Sequence, residues 1–114
     1  MSDVEIVQGT LELLVLKTLS LEPMHGWGIG QRIEQLSRDV FNVNQGSLYP
    51  ALQRLMRKGW IRSEWRVTEA GRRARWYSLT ALGRRQLEAE RADWERSSRA
   101  VGWILSATLK EVRG

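Results

Sequence analysis

Apolar residues recur with helical spacing over the first half of the chain. In G-T-L-E-L-L-V-L-K-T-L-S-L-E-P, Leu11, Leu14, Val15 and Leu19 share one stripe, which Leu13 and Leu16 widen. Thr10 suits an N-cap and Pro23 stops continuation, so a largely buried first helix of about ten to twelve residues is expected. The residues before it, 1–8, read as a polar, frayed start. Ile29, Ile33 and Leu36 predict a second, shorter helix despite Gly26, Gly28 and Gly30. Those glycines do not make a phosphate-binding loop: no strand precedes them, and no Lys-Ser/Thr pair follows at the required spacing. Close packing against a neighbouring helix explains them better.

A third helix follows a short connector holding Phe41 and Val43. Leu48, Leu52, Leu55 and Met56 form its apolar stripe, with Ser47 as cap, Pro50 in the first turn and Gly59 just past the end. At 100° per residue, Gln53 and Arg57 point away from that stripe, and Tyr49 and Arg54 lie on its flanks. The period then changes to two. Ile61, Ser63, Trp65 and Val67 alternate with Trp60, Arg62, Glu64 and Arg66, and residues 74–80 alternate again around a turn at Gly71. The product is a β-hairpin with a basic tip, its tryptophans (Trp60, Trp65, Trp76) read as core or hairpin packing. Two strands alone are marginal in water, so the hairpin must pack on the helices.

From Ala81 to about Leu109 the pattern is helical once more. Leu87, Trp94 and Val101 are spaced by seven, Ile104 and Leu105 continue the seam, and Ser97, Ser98, Ala100 and Gly102 permit close approach. A helix of roughly 40 Å is longer than the preceding body can cover. Its seam calls for a partner, most simply the same helix of a second copy. The organisation expected is therefore a head unit over residues 8–80 and a dimerisation helix over residues 81–110, packed as one compact unit.

Composition narrows the chemistry. The chain has 114 residues, one His and no Cys. That excludes large barrel enzymes, disulfide frameworks, thiolate metal sites and paired-histidine zinc sites. No metal and no cofactor is expected. His25, with no carboxylate or nucleophile at useful spacing, reads as a turn residue or phosphate donor rather than a general base. No membrane span or secretory leader is recognised, so a cytoplasmic protein is expected. The charge is uneven: ten basic residues lie between Arg54 and Arg85, opposed only by Glu64 and Glu69, whereas the remainder carries eight basic and eleven acidic residues. A basic middle between mildly acidic ends suits a polyanion.

Three helices followed by a basic-tipped hairpin is the order of a winged helix-turn-helix: mainly α with a small β-hairpin, plus the long C-terminal helix. In that geometry the third helix enters the major groove. Ser47, Tyr49, Pro50 and Gln53 then face bases and phosphates, and Arg72, Arg73 and Arg75 reach the backbone or an adjacent minor groove. Arg54 and Arg57 join the same basic face. The alternative is a protein-interaction module of the same fold whose basic face binds an acidic partner; an enzyme is disfavoured for want of an acid/base or nucleophile constellation.

The stretches G-T-L-E-L-L-V-L (9–16), H-G-W-G-I (25–29), G-S-L-Y-P-A-L-Q-R-L (46–55) and G-R-R-A-R-W-Y-S-L-T-A-L-G-R (71–84) resemble the PadR family of transcriptional regulators. The second pair is the more specific, and the resemblance spans roughly residues 8 to 105. It implies a homodimeric winged-helix protein that binds double-stranded DNA, usually as a repressor, and dimerises through its C-terminal helix. Many members respond to small aromatic or hydrophobic effectors. Trp94 and its symmetry mate are positioned to line such a slot, with simple interface packing as the alternative. Trp27 stands where the family commonly has Tyr, which alters a hydrogen bond near phosphate, and Met56 stands where an acidic residue is common.

Overall fold

The computed structural model describes residues 6–114; the polar start read over residues 1–8 lies outside it as far as residue 5. Helix α1 (Gln8–Leu21) runs through the middle of the body and packs against α2 (Gly26–Leu36), α3 (Gln45–Arg57), β3 (Arg73–Leu79) and α4 (Ala81–Leu105). It begins earlier than expected. Thr10 is inside the helix, and Val7 precedes it without a side-chain cap. The first-turn bond is instead backbone to backbone, from Leu11 N–H to the Val7 carbonyl at 2.9 Å. Leu11, Val15, Leu16 and Leu19 of α1 meet Ile29 and Ile33 of α2, and Leu48, Ala51, Leu52 and Leu55 of α3, in one apolar core.

Helix α3 also starts early. Asn44, not Ser47, is its cap, with Oδ1 accepting from Gly46 N–H at 2.7 Å. Pro50 consequently falls in the second turn, where its ring nitrogen cannot donate to the Gly46 carbonyl. That carbonyl belongs to an exposed residue, so water can satisfy it. Gly59 takes the positive φ (+75°) expected just past the helix end and turns the chain into β2 (Ile61–Val67).

The hairpin of β2 and β3 forms as expected, except that β3 starts and ends one residue before the 74–80 alternation because Thr80 caps α4, and Gly71 at φ +79° makes its turn. Sequence periodicity missed β1 (Met24–His25), which pairs antiparallel with Tyr77 and Trp76 to give a three-stranded sheet ordered β1-β3-β2. Two residues are too few to display alternation. Register sorts the hairpin into two faces: Ser63, Trp65 and Val67 share one with Tyr77, Arg75 and Arg73, while Glu64 and Arg66 share the other with Trp76 and Ala74.

Thr80 caps α4, accepting from Gly83 N–H at 3.0 Å, while its hydroxyl meets the Gly59 and Trp60 carbonyls at 2.7 and 3.0 Å. Only the first turns of α4 lie on the body. The rest projects, and the molecule extends 66 Å along its longest axis. The helix ends at Leu105, short of the expected Leu109. Ser106 hydroxyl bonds the Trp103 carbonyl, and Thr108 accepts from Glu111 N–H to start α5 (Leu109–Arg113). These side-chain bonds satisfy backbone groups that the broken turn frees.

Candidate nucleic-acid interface

The buried stripe of α3 leaves Tyr49, Gln53 and Arg57 exposed on its outer side. Across from them stands the Trp65–Arg75 face of the hairpin. Between the two, closed at one end by the start of α2, lies a cleft of about 470 Å³ to which His25, Trp27, Tyr49, Gln53, Arg73, Arg75 and Tyr77 contribute. Six of the eleven residues expected to meet nucleic acid thus come together in one place.

His25 is fixed from three sides. Its Nδ1 accepts from Gly28 N–H at 3.1 Å, capping α2. Its ring stacks on Trp27 at 6.3 Å and 9°, and meets Trp76 edge-on at 5.6 Å. With Nδ1 committed as an acceptor, a neutral imidazole carries its proton on Nε2, where it can be donated. Trp27, 57% exposed, extends the aromatic surface outward. Gly26 admits Tyr49 at close range: a Cβ there would lie 3.0 to 3.2 Å from the phenol ring and hydroxyl. Burial pushes the Tyr77 hydroxyl pKa up, against a smaller downward pull from Arg75, so Tyr77 stays neutral at the cleft floor.

The remaining expected residues lie elsewhere. Ser47, Pro50 and Arg54 flank a smaller hollow on the other side of α3, beside Gln8 and Leu11. Arg54 is engaged there: its Nε lies 3.4 Å from Oε1 of the buried Glu12, and Lys58 Nζ lies 3.6 Å from the same oxygen. A carboxylate buried on α1 thus holds two of the basic residues of the middle region. No pattern within α3 discloses this, because the partner is 42 positions away. Arg72 sits in the hairpin loop, and Arg57 is exposed at the last turn of α3. Trp65, expected to be packing, is 56% exposed, with Arg73 and Arg75 over its ring.

The seam residues divide as well. Leu87 is 4% exposed and belongs to the chain's own core. Trp94 is 52% exposed at the rim of an apolar groove of about 390 Å³ between α1 and α4, lined also by Leu13, Leu14, Phe41 and Leu87. Val101, Ile104 and Leu105 are exposed on the projecting part, Leu105 at 81%. Among the described residues no group of side chains could hold a metal ion, and no helix is long and apolar enough to cross a membrane.

A helical core that presents an amide- and arginine-bearing helix beside a basic β-wing defines a winged helix-turn-helix protein. The Transcriptional regulator PadR-like family matches residues 15–89, and the chain belongs to it. It is similar to the transcriptional regulator Rv3488 of Mycobacterium tuberculosis, with 35% identity over 97 residues covering 85% of this chain and 87% of that one. Among solved structures, it resembles a PadR family transcriptional regulator from Eggerthella lenta: 30% identity, TM-score 0.75, 89% of this chain and 86% of that one. A PadR-like transcription factor from Bacteroides fragilis superposes with TM-score 0.71 at 29% identity, over 85% of this chain and 91% of that one. The chain is thus a DNA-binding transcriptional regulator of a non-enzymatic family.

Proposed function

We propose that this regulator is a repressor that binds a palindromic operator as a homodimer joined along α4. Each α3 enters the major groove, and each wing reaches the flanking backbone or minor groove. The observation that carries this reading is the cleft, where Gln53, Tyr49 and two wing arginines that form no ion pair among the described residues converge on one concave surface. Gln53 has the paired donor and acceptor that suit adenine N6 and N7, whereas Tyr49, Arg73 and Arg75 suit phosphate. The exposed seam of α4 supports two-fold pairing, because a projecting apolar helix needs a covering surface. The groove at Trp94 is concave, mostly apolar and of a size to admit a small aromatic or hydrophobic effector, whose binding would release DNA by changing how the two heads are spaced.

A salt titration on duplex DNA tests the polyanion contacts. With about six to eight phosphates neutralised per dimer, log K falls against log salt with a slope of about −5 to −7. An operator is sought by selecting bound genomic fragments. Against that operator, Arg73→Ala weakens binding to all duplexes alike and lowers the slope by about two per dimer, while Gln53→Ala blurs preference at particular base pairs. The opposite pattern would reverse the two roles. Failure to bind any duplex, with capture of an acidic protein instead, would favour the interaction-module reading.

A further inference from the structure

We infer that Trp65 is the positioning residue of the wing: its exposed ring holds Arg73 and Arg75 in the pose in which they meet DNA. This rests on the DNA reading given above. The register sets Trp65 directly opposite Arg75 and diagonal to Arg73, on the same face of the sheet. The guanidinium carbons lie 5.4 and 5.1 Å from the ring centroid, within the range of cation–π attraction. Tyr77 lies on the other diagonal, but Trp65 itself stands outside the apolar core and more than half of it is exposed, so burial alone does not account for an indole there.

The other face of the wing provides an internal comparison. There Arg66 also lies over a tryptophan, Trp76, at 5.2 Å, but its charge is met by Glu64 in an ion pair. Among the described residues, neither Arg73 nor Arg75 forms an ion pair. One face therefore has a neutralised arginine, and the face toward α3 has two that keep their full charge. An aromatic ring steadies a guanidinium without neutralising it and leaves in-plane N–H donors for phosphate oxygens. Arginines already confined on the ring lose less rotamer freedom on binding than arginines free in solvent.

The test compares Trp65→Phe and Trp65→Leu in the native chain and in an Arg73→Ala/Arg75→Ala background. Binding to a labelled mixed-sequence duplex is measured across salt concentrations, with side-chain NMR of the arginines in the free protein. Trp65→Leu is expected to weaken duplex binding by about ten- to hundredfold for a two-headed complex. Phe should restore most of it, and neither substitution should matter once both arginines are gone. In the free protein, ring-current shifts of the Arg73 and Arg75 side-chain protons should persist with Phe and vanish with Leu. Equal loss with and without the arginines would show that Trp65 touches DNA or only supports the fold. Absence of the shifts in the native chain, or no loss with Leu, would overturn the inference while leaving DNA binding intact. Shifts without binding to any duplex would instead overturn the DNA reading, and with it the role assigned to the ring.

Discussion

Gly83→Ala is expected to destabilise the chain by about 3 to 5 kcal/mol, lowering Tm by roughly 15 to 30 °C. Gly83 is buried in the first turn of α4, and a Cβ there would lie 1.9 Å from the Trp60 carbonyl oxygen and 2.9 Å from Leu79 Cδ1. The obstacle is backbone, not the end of a flexible side chain. It is also pinned, since the Trp60 carbonyl accepts from Thr80 N–H at 3.0 Å and from the Thr80 hydroxyl. Relief requires α4 to move off the junction of α3 and β2, breaking the Thr80 cap and opening the core at Leu87. Better helix propensity returns at most about 1 kcal/mol. Gly9→Ala is the control: in α1, with open space around its Cβ position, it should stabilise by up to about 1 kcal/mol. Thermal melts followed by circular dichroism decide the matter, and a Gly83→Ala chain that melts within a few degrees of the native one refutes the packing argument.

Gly83 also shows where sequence reading stops. The stripes through Leu11–Leu19 and Leu48–Leu55 disclose their helices because burial on one face repeats at the helical period. The hairpin is legible because the period changes to two between Ile61 and Leu79. Nothing in A-L-G-R-R tells a reader that the glycine lies under a carbonyl of Trp60, since such contacts join segments that pattern treats separately. Helix starts were misplaced for a related reason. Thr10 and Ser47 are good caps by type, but the helices begin at Gln8 and Gln45, where Val7 and Asn44 adopt extended backbone geometry. The site was legible in part: the Arg-rich hairpin and the outward face of α3 led to Gln53, Arg73 and Arg75. Arg54 shares that face by angle, yet Glu12 holds it on the far flank. The role of Trp65 was missed because an alternating tryptophan reads as buried. The strand register, with an arginine opposite and another on the diagonal, carries the contrary signal.

Val101→Asp is expected to leave the folded head intact while abolishing high-affinity operator binding. Val101 is exposed on the part of α4 that projects beyond the body and contributes nothing to the core, so circular dichroism and Tm of a dilute sample should change little. In a two-fold pairing of α4 helices, the seam through Trp94, Val101 and Leu105 meets its own copy, and the substitution brings two carboxylates into an apolar contact. Desolvation and like-charge repulsion act together there, and neither is relieved by a partner. Sedimentation should then report a single chain where the native protein reports two. DNA binding should fall by about 10² to 10⁴, because the second head no longer benefits from the effective concentration that tethering provides. The salt slope should fall to about half its native value, as each head then neutralises only its own phosphates. This separates loss of pairing from loss of the cleft: Arg73→Ala subtracts contacts from both heads of a dimer that remains whole, whereas Val101→Asp leaves every contact of one head in place. A Val101→Asp chain that remains dimeric and keeps native operator affinity would place the pairing surface somewhere other than the α4 seam.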